Sequence, residues 1–79
     1  MTPTDKHIHI LQHSLGLTNG KKEYRNHFVA GGKDVDLCRE NVAMGFMEEG
    51  RASDMTGGDP VFFVLDAGRD LAKSRKVIL

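Results

Sequence analysis

Residues 37–72, LCRENVAMGFMEEGRASDMTGGDPVFFVLDAGRDLA, decide the fold because their local signals follow one another in a consistent order. Apolar residues recur at helical spacing as far as Phe46, and the run ends at Gly50. A Gly-Gly turn and the apolar run 61–65 then predict a β-hairpin. Asp66 can cap a final helix. A helix, a two-stranded hairpin and a second helix together predict a small α+β domain.

The helix before the hairpin is predicted to begin at Asp34 or Asp36 and to continue to Glu49. Gly45 interrupts this run, and close backbone packing or a break into two short helices both explain a glycine there. The hairpin strands are predicted at 51–55 and 61–65, around the turn 56–60, and the last helix at 67–73. The residues predicted to be buried are Ile8, Leu11, Leu15, Phe28, Val35, Cys38, Val42, Phe46, Phe62, Val64 and Leu71.

A first helix is predicted from a cap at Thr4 or Asp5 to about Leu15, where Gly16 can stop it. His9 and His13 lie four residues apart on its flank, which is a spacing that metal ligands use. Neither a zinc-protease glutamate nor a Cys-x-x-Cys pair supports them. We therefore predict a solvated histidine pair, with no metal and no cofactor.

The 79 residues suffice for one small domain covering 1–79, and 39% hydrophobic with 28% charged residues is ordinary globular composition. The sequence has no apolar run of membrane-spanning length and no signal peptide at its start, so we expect a cytoplasmic protein without a membrane partner. The lone Cys38 lies on an apolar helix stripe and is predicted to be a small buried residue. A core this small favours self-association.

Charge is unevenly distributed although the net charge is zero. Residues 1–33 carry five basic and two acidic side chains, residues 34–70 three basic and nine acidic, and residues 71–79 three basic and none acidic, giving +3, −6 and +3. This acidic middle between two basic ends creates a field that a binding partner would experience.

Between two glycine-rich turns, residues 21–28 combine basic, amide, imidazole and aromatic side chains. Such a loop suits phosphate contact with base stacking, or it is a solvated loop anchored by Tyr24, Phe28 and Val29. We place the candidate binding residues in this loop and in the basic C-terminal end. They are Lys21, Lys22, Tyr24, Arg25, Asn26, His27, Lys73, Arg75 and Lys76.

Residues 42–48, VAMGFME, resemble the helix end and turn of many winged-helix regulators, and residues 64–69, VLDAGR, are similar to the junction of their wing with the last helix. In that junction a threonine normally caps the helix where this chain has Leu65. The resemblance implies a winged-helix-like domain of about three helices with a two-stranded wing. Those regulators place two helices between the first helix and the wing, whereas residues 17–33 have room for one at most.

A second resemblance, to small phage and prophage proteins, covers nearly the whole chain. It is carried by residues 13–17, HSLGL, by 24–28, YRNHF, and by 57–59, GGD. It implies a bacterial or phage setting and brings no established activity.

Catalysis is disfavoured because the sequence pairs no nucleophile with a base by spacing and has no phosphate-binding glycine motif. The uneven charge and the small core favour a non-enzymatic module that docks to a protein partner or forms a homo-oligomer. The alternative is a DNA- or RNA-binding protein of the transcription-regulator type that uses residues 21–27 and the basic C-terminal end. The acidic helix before the hairpin disfavours operator binding through that helix, since five carboxylates face one arginine there.

Overall fold

A computed structural model describes residues 2–18, 26–50 and 58–76. The elements of these residues, in chain order, are α1 (Asp5–Ser14), β1 (Phe28–Val29), α2 (Asp34–Ala43), β2 (Met47–Glu49), β3 (Val61–Val64) and α3 (Asp66–Lys73). The strands form an antiparallel sheet in the order β1-β3-β2. This architecture confirms the predicted α+β class, but the described part of the chain contributes three strands to the sheet instead of two.

The second helix is shorter than predicted, because α2 ends at Ala43 and residues 47–49 form a strand. Gly45 has a φ of 83°, a left-handed conformation that ends a helix readily in glycine. The amide of Phe46 donates to the carbonyl of Asn41 and closes the helix end at 2.9 Å. The helix does break at Gly45, but the predicted second short helix is wrong, since the chain continues as strand β2.

The strand that pairs with β3 was predicted at 51–55, and this segment lies outside the described residues, as do residues 56 and 57 of the predicted turn. In the structure this pairing is made by β2, with Met47 opposite Val64 and Glu48 opposite Phe63. The sequence also did not predict β1, whose Phe28 lies opposite Phe62 on the other side of β3.

The core lies between α1 and the inner face of the sheet. Six of the predicted core residues are buried, and the other five are partly buried and pack against the core. The buried six are Ile8, Leu11, Leu15, Cys38, Phe62 and Val64; the partly buried five are Phe28, Val35, Val42, Phe46 and Leu71. The core also includes residues that we did not predict: Ile10, Leu17, Ala30, Met47 and Ala72.

In the part of the chain that the structure describes, the helices are too short and too polar for any of them to cross a membrane.

Candidate functional site

Four of the nine predicted binding residues, Lys21, Lys22, Tyr24 and Arg25, lie outside the described residues. The others fall into two groups, Asn26 and His27 before β1, and Lys73, Arg75 and Lys76 at the end of α3. The three basic residues and His27 are exposed.

Asn26 holds the start of β1 against the sheet. Its side-chain oxygen accepts a hydrogen bond from the amide of Val64 at 2.6 Å, and its side-chain nitrogen donates to the carbonyl of Val64 at 3.0 Å. The carboxamide thus replaces a backbone pair and extends the contact between β1 and β3. Its polar atoms are engaged within the domain.

The two groups meet the same turn of α1. The amide of His27 donates to the carbonyl of Ser14 at 3.2 Å. Two residues earlier, the buried Gln12 side chain donates to carbonyls at the end of α3, at 3.2 Å for Ala72 and 2.9 Å for Lys76. The described ends of both predicted basic segments therefore lie against the C-terminal part of α1.

The outer face of the sheet, which faces away from α1, carries a row of apolar side chains. Val29 is 43% exposed, Phe63 is 42% exposed and Leu65 is 38% exposed, and these are the exposed large hydrophobic residues among those described. Val61, which lies opposite Val29, is partly exposed and continues the row. We refer to Val29, Val61, Phe63 and Leu65 as the outer apolar face.

One acidic side chain borders the outer apolar face. Glu48 is exposed and lies directly opposite Phe63 in the β2–β3 pairing. The neighbouring Glu49 lies opposite Phe62 and points to the other face of the sheet, where it accepts a hydrogen bond from Arg39 of α2 at 3.3 Å in an exposed ion pair. The carboxylate of Glu48 therefore disfavours a strongly negative partner at this edge of the outer apolar face.

The structure also contains a buried histidine that sequence analysis did not single out. The Nδ1 atom of His7 accepts a hydrogen bond from the amide of Thr4 at 2.9 Å, so Nε2 is the donor toward the carboxylate of Glu40 at 2.6 Å. Both ring nitrogens thus have partners within the protein, and the imidazole links α1 to α2. Since Glu40 is 33 residues away in sequence, no local pattern could have indicated this pair.

Cys38 is buried, as predicted, and it is not a reactive nucleophile. Burial, with a smaller contribution from the nearby charge of Asp34, raises the pKa of the Cys38 thiol to about 12. The thiol therefore stays protonated at neutral pH, and the thiolate is the reactive form.

The His9 and His13 rings are stacked with their centroids 6.2 Å apart, and the His13 and Phe28 rings form a T-shaped pair with their centroids 5.6 Å apart. Within the described residues, no three histidine, cysteine, aspartate or glutamate side chains are arranged to hold a metal ion. The packing of His13 against an aromatic ring is a structural role that its helical spacing alone did not indicate.

No protein-family model, no curated protein and no solved structure matches this chain.

Proposed function

We propose that this chain is a small non-enzymatic binding module that docks to a protein partner, either another protein or a second copy of itself. The outer apolar face is the observation that carries the proposal. Small soluble domains rarely leave a contiguous row of large apolar side chains uncovered, and such rows mark sites of protein contact. Phe63, at the centre of the row, is the kind of side chain that anchors an interface.

Two further features support a binding role over catalysis. Both nitrogens of the buried His7 ring are occupied within the protein, and the Cys38 thiol is protonated at neutral pH. These two groups hold elements of the fold together and offer no activated atom to a substrate.

Replacing Phe63 by serine tests this function, with Ala43→Ser as a control because Ala43 is exposed on α2. Each immobilised protein is incubated with a bacterial lysate, a source chosen for the phage-like resemblance, and retained proteins are quantified by mass spectrometry. Sedimentation velocity over a concentration series measures self-association. We expect a retained protein, or a dimer, that is lost in Phe63→Ser and kept in Ala43→Ser. A wild type that stays monomeric and retains nothing specific contradicts the proposal.

Nucleic-acid binding is the second candidate, supported by the approach of the described ends of both predicted basic segments, His27 and Lys76, to the C-terminal part of α1. In this alternative Arg25 and Lys22 contact phosphate, Tyr24 stacks on a base, and Lys73, Arg75 and Lys76 extend the basic surface. The winged-helix-like assignment belongs with this candidate, whereas the phage or bacterial origin belongs with the protein-docking module, and both stay predictions.

Titration of DNA and RNA oligonucleotides at two salt concentrations tests the second candidate. We expect salt-sensitive binding that is lost in a Tyr24→Ala, Arg25→Ala variant if nucleic acid is the partner. Absence of binding at low salt removes this candidate and leaves protein docking.

A further inference from the structure

The strand β1 forms one edge of the sheet, and its outward backbone groups are open. Phe28 pairs with Phe62, and the amide of Ala30 donates to the carbonyl of Pro60 at 3.0 Å. Because alternate peptide groups of a strand point to opposite sides, the amide and carbonyl of Val29 point away from β3. Among the described residues, neither group of Val29 has a hydrogen-bond partner.

The open edge is limited to Val29. On one side of it, the amide of His27 is bonded to the carbonyl of Ser14, and on the other, the carbonyl of Gly31 accepts the amide of Asp34 at 3.2 Å. A strand that adds to this edge in antiparallel orientation therefore gains the two hydrogen bonds of one residue pair with Val29.

A groove begins at this edge, between β1 and the flank of α1, and continues between α1 and the start of α2. Its first hollow, of about 230 Å³, is lined by His13, His27, Phe28 and Val29. The next hollow, of about 220 Å³, shares His13 and Phe28 and adds His9, Ile10 and Asp34. A third, of about 450 Å³, shares His9, Ile10 and Asp34 and is also lined by Asp5, Lys6, Lys33 and Leu37. Directly beside the open backbone groups, the groove thus presents two imidazoles together with Phe28.

We infer that β1 receives an extended peptide segment of a protein partner as a fourth strand of the sheet. This inference rests on the proposed protein-binding function and specifies the partner's chemistry. Adjacent strands lie about 4.8 Å apart, which places the added backbone over the hollow beside Val29. Main-chain hydrogen bonds then supply affinity, and pockets for alternate side chains supply specificity.

The pleat of the sheet determines where the side chains of the added peptide segment point, and so which residue types fit. The residue opposite Val29 points to the outer face and extends the outer apolar face, while its two neighbours point inward, on the side of Phe28. The hollow beside Val29 is lined by the Phe28 ring and by the imidazoles of His13 and His27, so the inward residues are ones that pack against rings. The partner segment therefore has an apolar residue opposite Val29, between two residues whose aromatic or aliphatic side chains contact these rings.

The probe for this site is a phage-displayed library of random short peptides, selected on the whole protein. A selected peptide is then synthesised, and its affinity is measured by fluorescence anisotropy for two variants of one residue. Val29→Pro removes the amide donor at an edge position where proline is tolerated, whereas Val29→Ala shortens the side chain and keeps the amide. We expect Val29→Pro to weaken binding roughly tenfold and Val29→Ala to change it by less than about threefold.

Amide hydrogen exchange of the wild type provides a measurement that does not depend on how a variant folds. The Val29 amide is expected to exchange rapidly in the free protein and at least about tenfold more slowly when the peptide is saturating. Unchanged exchange at Val29, or equal peptide affinity for Val29→Pro, overturns the edge-strand inference.

The outcomes separate this inference from the function on which it rests. If no peptide is selected, or if binding ignores Val29, while the Phe63-dependent protein capture succeeds, the edge-strand inference fails and protein docking stands. If neither assay detects binding, both fail.

Discussion

Successive residues of β3 point alternately to the inner and the outer face of the sheet, and the two sets differ sharply in how much of their surface is exposed. Phe62 and Val64 point inward, where α1 covers them, and are almost fully buried. Phe63 and Leu65 point outward and keep more than a third of their surface exposed. Neighbouring residues of the same chemical type therefore differ in role by position: the inner ones form the core, and the outer ones keep apolar surface that a partner can contact.

The largest effect is expected on the inner face. Phe62→Ala removes a fully buried ring and leaves a cavity, so the free energy of unfolding should fall by about 3–5 kcal/mol. Urea denaturation followed by circular dichroism measures this loss. A decrease below about 1 kcal/mol would mean that the inner face does not carry the core.

A smaller loss of stability is expected where α3 packs against Phe46, at the start of β2. A Cβ atom at Gly68 would lie 2.2 Å from the carbonyl oxygen of Phe46 and 3.0 Å from the Val64 side chain. Gly68→Ala should therefore lower the free energy of unfolding by about 1–3 kcal/mol, although alanine is the better helix former. Asp70→Ala, at an exposed position of the same helix, is the control and should be neutral or slightly stabilising. Equal stability of both variants would contradict the close packing of α3.

The pH dependence of stability tests whether water reaches the Cys38 thiol in the core. Its pKa rises from 9.0 to about 12 on folding, so the folded protein holds the thiol proton at a pH where the unfolded chain releases it. The stability from this group is fully present below pH 9.0 and is lost as pH rises toward the folded value. Between about pH 8 and about pH 10, the wild type should lose about 1 kcal/mol more than Cys38→Ala. Parallel pH profiles of the two proteins would show instead that the thiol is solvated.

The smallest effect on stability is expected on the outer face. Phe63→Ala should change the free energy of unfolding by less than about 1 kcal/mol, because the ring is already partly in water. Denaturation alongside Phe62→Ala makes the comparison direct. If the two variants lose equal stability, the outer ring is part of the core and the distinction between the faces disappears.

Sequence periodicity predicted the extents of α1 and α3 well, because their apolar stripes are local. The predicted cap of α3 at Asp66 is wrong, since Leu65 is the N-cap and Asp66 lies in the first turn of the helix. Periodicity extended α2 too far because Phe46 fits the helical stripe four residues after Val42, while the left-handed conformation of Gly45 cannot be read from periodicity. The two-residue strand β1 has no pattern of its own and exists because Phe28 meets Phe62. Local sequence patterns cannot predict pairing between residues that are this far apart in the chain.

The candidate site, too, could be predicted only where the signal is local. The sequence indicated His27 and the basic end of α3 as polar and exposed, but it could not indicate that both approach α1. The outer apolar face could not be predicted because all five residues of the run 61–65 are apolar. Phe62 differs from Phe63 only because α1 covers the face of the sheet to which Phe62 points. The open edge at Val29 could not be predicted without β1.

The contact of Gln12 with the end of α3 bears on how the chain folds during synthesis. This side chain emerges early from the ribosome, yet the carbonyls it binds, at Ala72 and Lys76, are made 60 or more residues later. Until then α1 lacks its contact with α3, so the packing of these two helices is completed only after all the residues between them have been synthesised.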